Sequence, residues 1–554
     1  MNTKIKLAVL TLCSGTFYIQ AQNTVVGTGT LGTGNVTPPS TQNTVVGSSI
    51  GGAGNTGGSN SFFGYQAGMT NTGGGKNTFL GALGGVNNIS GGENVFIGYS
   101  SGNKNSSGNY NTFTGTYSGF NSSKASNNVF TGWSAGYSNI KGEHNVFSGY
   151  KSGYYNIADN NSFYGAFSGL SNTSGGENAF YGALSGVNNT TGVQNVYLGA
   201  NSGYKNSTGN DNVFVGYSAG LNTTLASNNV FVGSASGFNN TTGYGNVFSG
   251  SYAGYSNITG AFNTFSGNNS GYYNKDGYSN SFYGYDSGRS NTTGFRNTFA
   301  GTNSGLSNTT GYDNVYIGGS SGYKNTTGNS NVFVGFTAGL NTTASYNIFI
   351  GPGAGLSNSI GEANTYIGSQ AGYNSMNGSR NVFLGDNAGY NEQESNKLHI
   401  ANNRTTTLIY GDFLTGKVGI GGINTYATPD TFPATAGAVS LANYKLFVKG
   451  GILTEEVRVN LMSAWADYVF APEYQLKPLA EVETFIKENG HLPNVPSAAK
   501  VAEEGLELGE IAKIQQEKIE ELTLYLIEQN KKMDEQNKKI EELTKQVKIL
   551  SERN

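Results

Sequence analysis

A nine-residue signature, N-x-(F/Y)-x-G-x-x-(A/S)-G, recurs twenty times between Asn60 and Asn381 with Gly84 its one departure, and its spacing constrains the fold more than any other feature. The interval is 17 residues, apart from two of 16 that end at Asn161 and Asn347. Glycine fills the fifth position from Gly64 to Gly385 and the ninth from Gly68 to Gly389, and the third is always Phe or Tyr. A degenerate copy begins at Asn43, with Gly47 and Gly51 in phase. Self-similarity at a fixed period marks stacked repeats, in which each unit buries its apolar face only against its neighbours. A run such as NVFVG is short, aromatic and β-branched, which suits a strand, and the glycines beside it admit tight turns. Seventeen residues accommodate two short strands and two turns, so the expected coil is that of a flattened β-roll. Coils stacked about 4.8 Å apart would give a rod roughly 95 Å long.

Stacking sets like residues above one another. The third-position rings are expected to form one ladder, with Phe62, Phe79, Phe96, Phe113, Phe130, Phe214, Phe299 and Phe383 among its rungs. The leading asparagines can form an amide ladder beside it. Rings at a fixed strand phase are expected in the core, with a ligand-stacking platform as the alternative. In NVFVG at Asn229 and NVYIG at Asn314, positions two to four are all apolar, so both strand faces call for burial. One face can line the coil. The other wants a second layer, most simply another copy of the chain, which points to a homo-oligomer.

Threonine pairs recur late in the unit, at Thr190 and Thr191, Thr292 and Thr293, Thr309 and Thr310, and Thr326 and Thr327. They read either as turn chemistry or as a row of hydroxyls for ice or polysaccharide.

The rest of the chemical inventory is sparse. With 12% charged residues and a net charge of −3, the chain has no electrostatic footprint for nucleic acid or anionic lipid. Its 12% aromatic content argues against disorder. Only His144, His399 and His491 occur, without metal-ligand spacing, and the acids Asp211, Asp276 and Asp313 do not recur in phase as a calcium roll requires. No phosphate-loop signature and no Ser/His/Asp arrangement stands out, so no catalytic, metal or cofactor site is expected and the chain reads as a non-enzyme. A hydrolase tip between 397 and 505 is the alternative that an acidic pocket there would favour.

At the N-terminus, Lys4 and Lys6 precede the apolar run Leu7 to Leu12, and cleavage after Ala21 fits a secretory signal peptide. Cys13 is the only cysteine and follows Leu12 rather than a small residue, so a lipoprotein signal is not expected. No stretch is apolar enough for a membrane span. Charge density rises after residue 396, and Pro429 and Pro433 mark a linker or loop. From Leu508 a heptad pattern runs to the end. Ile519, Leu526, Met533, Ile540 and Val547 hold one core position, and Leu522, Gln529, Gln536, Leu543 and Leu550 the other. The flanking positions lack complementary charges, which favours self-association.

The repeat resembles the head repeats of trimeric autotransporter adhesins, through NVFIG at Asn94 and NVFVG at Asn212, each followed by Ser or Ala before Gly. That resemblance implies a parallel β-roll, three chains and an adhesin-like role. The unit is longer than theirs, and no C-terminal membrane barrel follows. KLHIANNRTTTLIYGDFLTGKVGIG (397–421) resembles the shaft-to-tip region of phage tail-fibre-like proteins. YKLFVKGGILTEEVRV and the segment from Trp465 to Ala498 resemble the C-terminal module of secreted Bacteroidota proteins. The S-D-x-R-x-K-x-x-I motif of the endosialidase-type chaperone is missing, so self-cleavage is not implied.

The expected fold is an all-β repeat solenoid, a β-roll of 17-residue coils, followed by a small mixed α/β module and a C-terminal α-helical coiled coil. Its segments are a signal peptide (1–21), degenerate repeats (22–59), the solenoid (60–395), a β-rich transition (396–443), the module (444–505) and the coiled coil (506–554). The expected function is that of a secreted or cell-surface fibre.

Overall fold

The computed structural model describes residues 24–26, 42–51, 55–422, 432–460 and 465–553. The expected signal peptide and Pro429 lie outside them. The chain divides into two compact units between Arg404 and Thr405.

The first unit is a β-solenoid. Strands β1 (Thr24–Val26) and β2 (Thr44–Val46) lead into twenty more, β3 to β22, from Ser61–Phe63 to Val382–Leu384, and β23 (Lys397–Ile400) closes the series. Each pairs in parallel with the next at the same phase, as in Val213↔Val230, Phe214↔Phe231 and Val215↔Val232. A single three-residue strand serves each coil, where two were expected. The physical reason is that the rest of the coil curves through left-handed residues at two fixed positions, such as Asp211 (φ 56°) and Ser218 (φ 56°), which no strand can hold. Backbone hydrogen bonds nevertheless link coils all the way round. Val213 N donates to Asn229 O at 2.8 Å, Gly220 N to Ser236 O at 2.9 Å and Thr224 N to Thr241 O at 3.1 Å.

The interior is narrow and repeats without change of plan. All twenty third-position rings are fully buried, and successive rings stack with centroids 4.5 to 5.0 Å apart. The ladder ends edge-on against the buried His399, 5.0 Å from Phe383. Two glycines make room for it. At position nine a methyl group would meet the ring directly, 2.5 Å from Phe214 at Gly220. At position five, Gly216 has φ +138° and a methyl would lie 2.4 Å from the carbonyl oxygen of Gly233 in the next coil. Position eight is a buried Ala or Ser, except at Gly84, where the coil does without a side chain.

Two buried asparagine columns flank the rings. In the first, Asn212 Oδ1 accepts from Asn229 N at 3.1 Å, while Asn212 Nδ2 donates to Ala226 O at 2.9 Å. In the second, four positions beyond the small residue, amides bond one another, as Asn274 to Asn257 and Asn291 to Asn274, both at 2.7 Å. This second column breaks where Tyr replaces Phe. Tyr197 hydroxyl takes the Asn206 amide, and the Asn189 Oδ1 below it is left without a donor.

The second unit holds β24 (Ile409–Asp412), β25 (Lys417–Ile420), the hairpin β26 (Thr435–Ala436) and β27 (Val439–Ser440), and β28 (Leu446–Val448). A short 3-10 turn (Ala466–Phe470) and helices α1 (Leu479–Asn489), α2 (Ala498–Glu504) and α3 (Leu508–Ser551) follow. Ser497 caps α2 by accepting from Lys500 N. At 44 residues, α3 spans roughly 66 Å.

Replacing Asn212 with Leu orphans the Asn229 N–H and the Ala226 carbonyl, each costing about 1–3 kcal/mol. Thermal unfolding and amide exchange in the flanking coils should therefore report a loss of about 2–6 kcal/mol. Tyr197→Phe should stay within about 1 kcal/mol of the parent, because the freed Asn206 amide can rejoin Asn189. An Asn212→Leu protein as stable as the parent would contradict the ladder's role.

Candidate binding surfaces

With the rings and amides facing inward, what the solenoid offers to partners is its outer surface. The threonine pairs divide in two. The first member is half-buried and turns its hydroxyl to the next coil: Thr190 donates to Ser207 O at 2.9 Å, Thr292 to Thr309 O at 3.0 Å and Thr309 to Thr326 O at 2.9 Å. Thr326 is half-buried in the same phase. The second members, Thr191, Thr293, Thr310 and Thr327, are exposed. Their column is interrupted by Leu225, Asp276 and Ile360. One exposed column of hydroxyls results, on a turn rather than on a strand.

The outer face of the sheet is more apolar. Positions two and four of each repeat unit point away from the ring ladder, giving the exposed–buried–exposed pattern of Val196–Leu198 and Ile348–Ile350. Over β18 to β22 this face carries Val315, Ile317, Val332, Val334, Ile348, Ile350, Ile367, Val382 and Leu384. Ile317 is 43% exposed and Ile367 40%. Isolated exposed aliphatics are ordinary on a protein surface, but a contiguous column of them is a mark of interaction.

In the second unit the polarity of α3 is inverted. Its buried residues are Glu517 and Glu520, whereas Ile519, Leu522 and Leu526 are each more than half exposed. The seam continues outward through Met533, Ile540, Leu543, Val547 and Leu550, with Gln529 and Gln536 also exposed. The acidic face is held by the unit's own polar groups. Glu517 accepts from Tyr468 and from Asn494 Nδ2 at 3.1 Å, Glu521 accepts from Tyr474, and Lys518 reaches both carboxylates at 2.7 Å. Tyr525 donates to Lys477 O one helix turn further on. Burial opposes the charge on Glu517, but the hydrogen bonds from Lys518, Tyr468 and Asn494 outweigh it and hold the carboxyl below its ordinary range. Hydrogen bonding to Glu517, with burial, pushes the Tyr468 hydroxyl up to about 12. Burial works against Lys518, yet its two carboxylates raise it above the usual lysine range.

Among the described residues no three His, Cys, Asp or Glu side chains gather to hold a metal. His144 is exposed on a solenoid turn, His399 ends the ring ladder beside Glu392 at 3.1 Å, and His491 lies edge-on to Phe485. An open groove in the second unit is lined by Val439, Leu441, His491, Glu504 and Glu510. Glu504 pairs there with Lys500 at 3.8 Å, and Glu510 with Lys513 at 3.7 Å. No described helix is long and apolar enough to cross a membrane. No protein-family model matches the chain, and no curated protein sequence matches it.

A pH window follows from the Tyr–Glu–Lys cluster. A carboxyl with a depressed pKa contributes stability above its ordinary pKa and loses it as pH falls through the folded value. Lys518 and Tyr468 are raised, so their contribution is full below their ordinary values and is lost as pH climbs through the folded ones. Tyrosine fluorescence and near-UV dichroism of the cluster should hold steady between these limits and change at both. Glu517→Gln should abolish the acid step, and an acid step that survives would assign it elsewhere.

Proposed function

We propose that the protein is a secreted or cell-surface structural fibre that self-associates through α3 and has an adhesin-like role. The observation that carries this reading is the inverted helix. The unit's own tyrosines occupy the acidic face, and more than three turns of Ile, Leu, Met and Val are left to water. Such a seam is that of a coiled coil, and the preceding segment 444–505 is read as a small mixed α/β module that decorates it without blocking it. The outer sheet column, the exposed Ile452, Leu453 and Val457, and the N-terminal signal-like segment support the same reading. The head-repeat resemblance implies three chains.

The polar seam residues favour parallel, in-register helices. Gln529 then faces Gln529 and Gln536 faces Gln536, so each buried amide finds an amide. An antiparallel arrangement centred on the seam sets Gln529 against Ile540 and Gln536 against Met533. Both juxtapositions are costly, because each leaves a buried amide without a polar partner.

Sedimentation of the full chain should give an oligomer, and a monomer at micromolar concentration would sink the proposal. With Cys13 changed to serine, Leu550→Cys should oxidise to disulfide-linked pairs in parallel helices. In antiparallel ones the two sulfurs would lie roughly 47 Å apart, so an oligomer that fails to cross-link would refute the orientation alone.

A further inference from the structure

Twenty coils on one backbone frame provide an internal comparison. A position that accepts many residues without a change of backbone is not dictated by the fold, and a local concentration of chemistry there needs another cause. Position six is such a place, occupied by Ala166, Ala183, Ala200 and Ser234 in successive or nearby coils. Position seven is another, with Ser218, Ala235 and Ser320. Between Asn94 and Asn161 these two positions instead gather Tyr99, Tyr117, Trp133, Tyr150 and Lys151.

The cluster is organised. Trp133 stacks on Tyr150 at 5.0 Å, and Tyr117 stands edge-on to Tyr99 at 5.5 Å and to Trp133 at 6.3 Å. Lys151 Nζ lies 5.4 Å from the Trp133 ring, 5.7 Å from Tyr150 and 5.5 Å from Tyr154. Tyr99, Trp133 and Tyr150 are 41 to 46% exposed. Tyr117 and Lys151 also sit at φ 59° and 52°, where a large side chain is less at ease than the serine of other coils. Backbone preference therefore works against them, and they form no part of the core. Between Glu93 and Asp159 the only acid is Glu143, which lies on a different turn, so no carboxylate shares this corner with Lys151.

We propose that this corner of the solenoid binds an acidic polysaccharide. Half-exposed tyrosine and tryptophan rings present apolar surface to the C–H faces of sugars together with hydroxyls for their polar edges. The ammonium held over three rings, with no carboxylate of its own, takes the acid group. These rings succeed one another along the stacking direction, so a linear polymer lying across the four coils meets several of them at once and binds by their sum. The proposal supplies a ligand class for the adhesin-like reading above and rests on it for the ligand's place outside the cell. The threonine rows are not used.

Affinity electrophoresis of the full chain through gels containing polygalacturonate, with dextran as the neutral polymer, tests the site. The chain should be retarded by polygalacturonate and not by dextran, and added salt should weaken the retardation. The triple variant Tyr117→Ser, Trp133→Ala, Lys151→Ser uses residues that other coils carry at the same positions, so the solenoid should fold unchanged. Its binding should fall at least about tenfold, the loss of a single hot-spot contact, while Tyr65→Ala, at a lone exposed ring, should bind as the parent does. Absence of retardation, equal retardation by dextran, or full binding by the triple variant would each overturn the proposal. Sedimentation separates the two readings. A triple variant that no longer assembles would make the corner a self-association surface and remove the polysaccharide site. A monomeric parent still retarded by polygalacturonate would keep the site and discard the fibre.

Discussion

Each coil of this solenoid is held by hydrogen bonds to the coils on either side, and the buried asparagine at the head of the repeat is the joint on which the others depend. Its side chain does what a strand partner would do. The oxygen accepts from the next backbone N–H, and the amide donates to a carbonyl in the turn of the following coil. Aspartate would lack the donor and serine the reach. The neighbouring ring then fills the space between the two amide columns, and glycine at positions five and nine is what remains when carbonyls and rings come this close. A coil with one short strand can therefore be stable, because the pairing that a second strand would supply is provided by turn backbone and side-chain amides.

That arrangement explains what the sequence disclosed and what it hid. The ring ladder and the invariant glycines follow from the period alone, since any residue that must recur every 17 positions is one the stack cannot do without. The second strand was wrongly expected because turn-forming residues such as Ser218 and Asp211 carry no obvious mark of the left-handed conformation they adopt. Asparagine favours that conformation, but serine, tyrosine and lysine do not announce it. The threonine pairs look alike in the sequence, yet one hydroxyl is consumed by the next coil and the other is exposed. Periodicity gives the phase of a residue but not the identity of its acceptor.

Legibility was also uneven in the second unit. The heptad spacing of Ile519, Leu522 and Leu526 is plain, whereas the tyrosines that reach Glu517 and Glu521 from 49 and 47 residues away leave no periodic trace. Only their placement reveals that the acidic side of α3 is the occupied one. A surface helix in a globular unit ordinarily turns its apolar stripe inward, and α3 does the reverse.

The same logic separates structure from function along the rod. Residues that repeat are answerable to the stack, and those that vary at fixed backbone positions are answerable to something outside it. Serine at position seven costs little and recurs. Tyr117 and Lys151 cost more, and both stand beside rings that the core does not use. In a protein whose interior is this uniform, departure from the repeat is the clearest chemical signal available, because twenty copies have already shown what the fold itself requires.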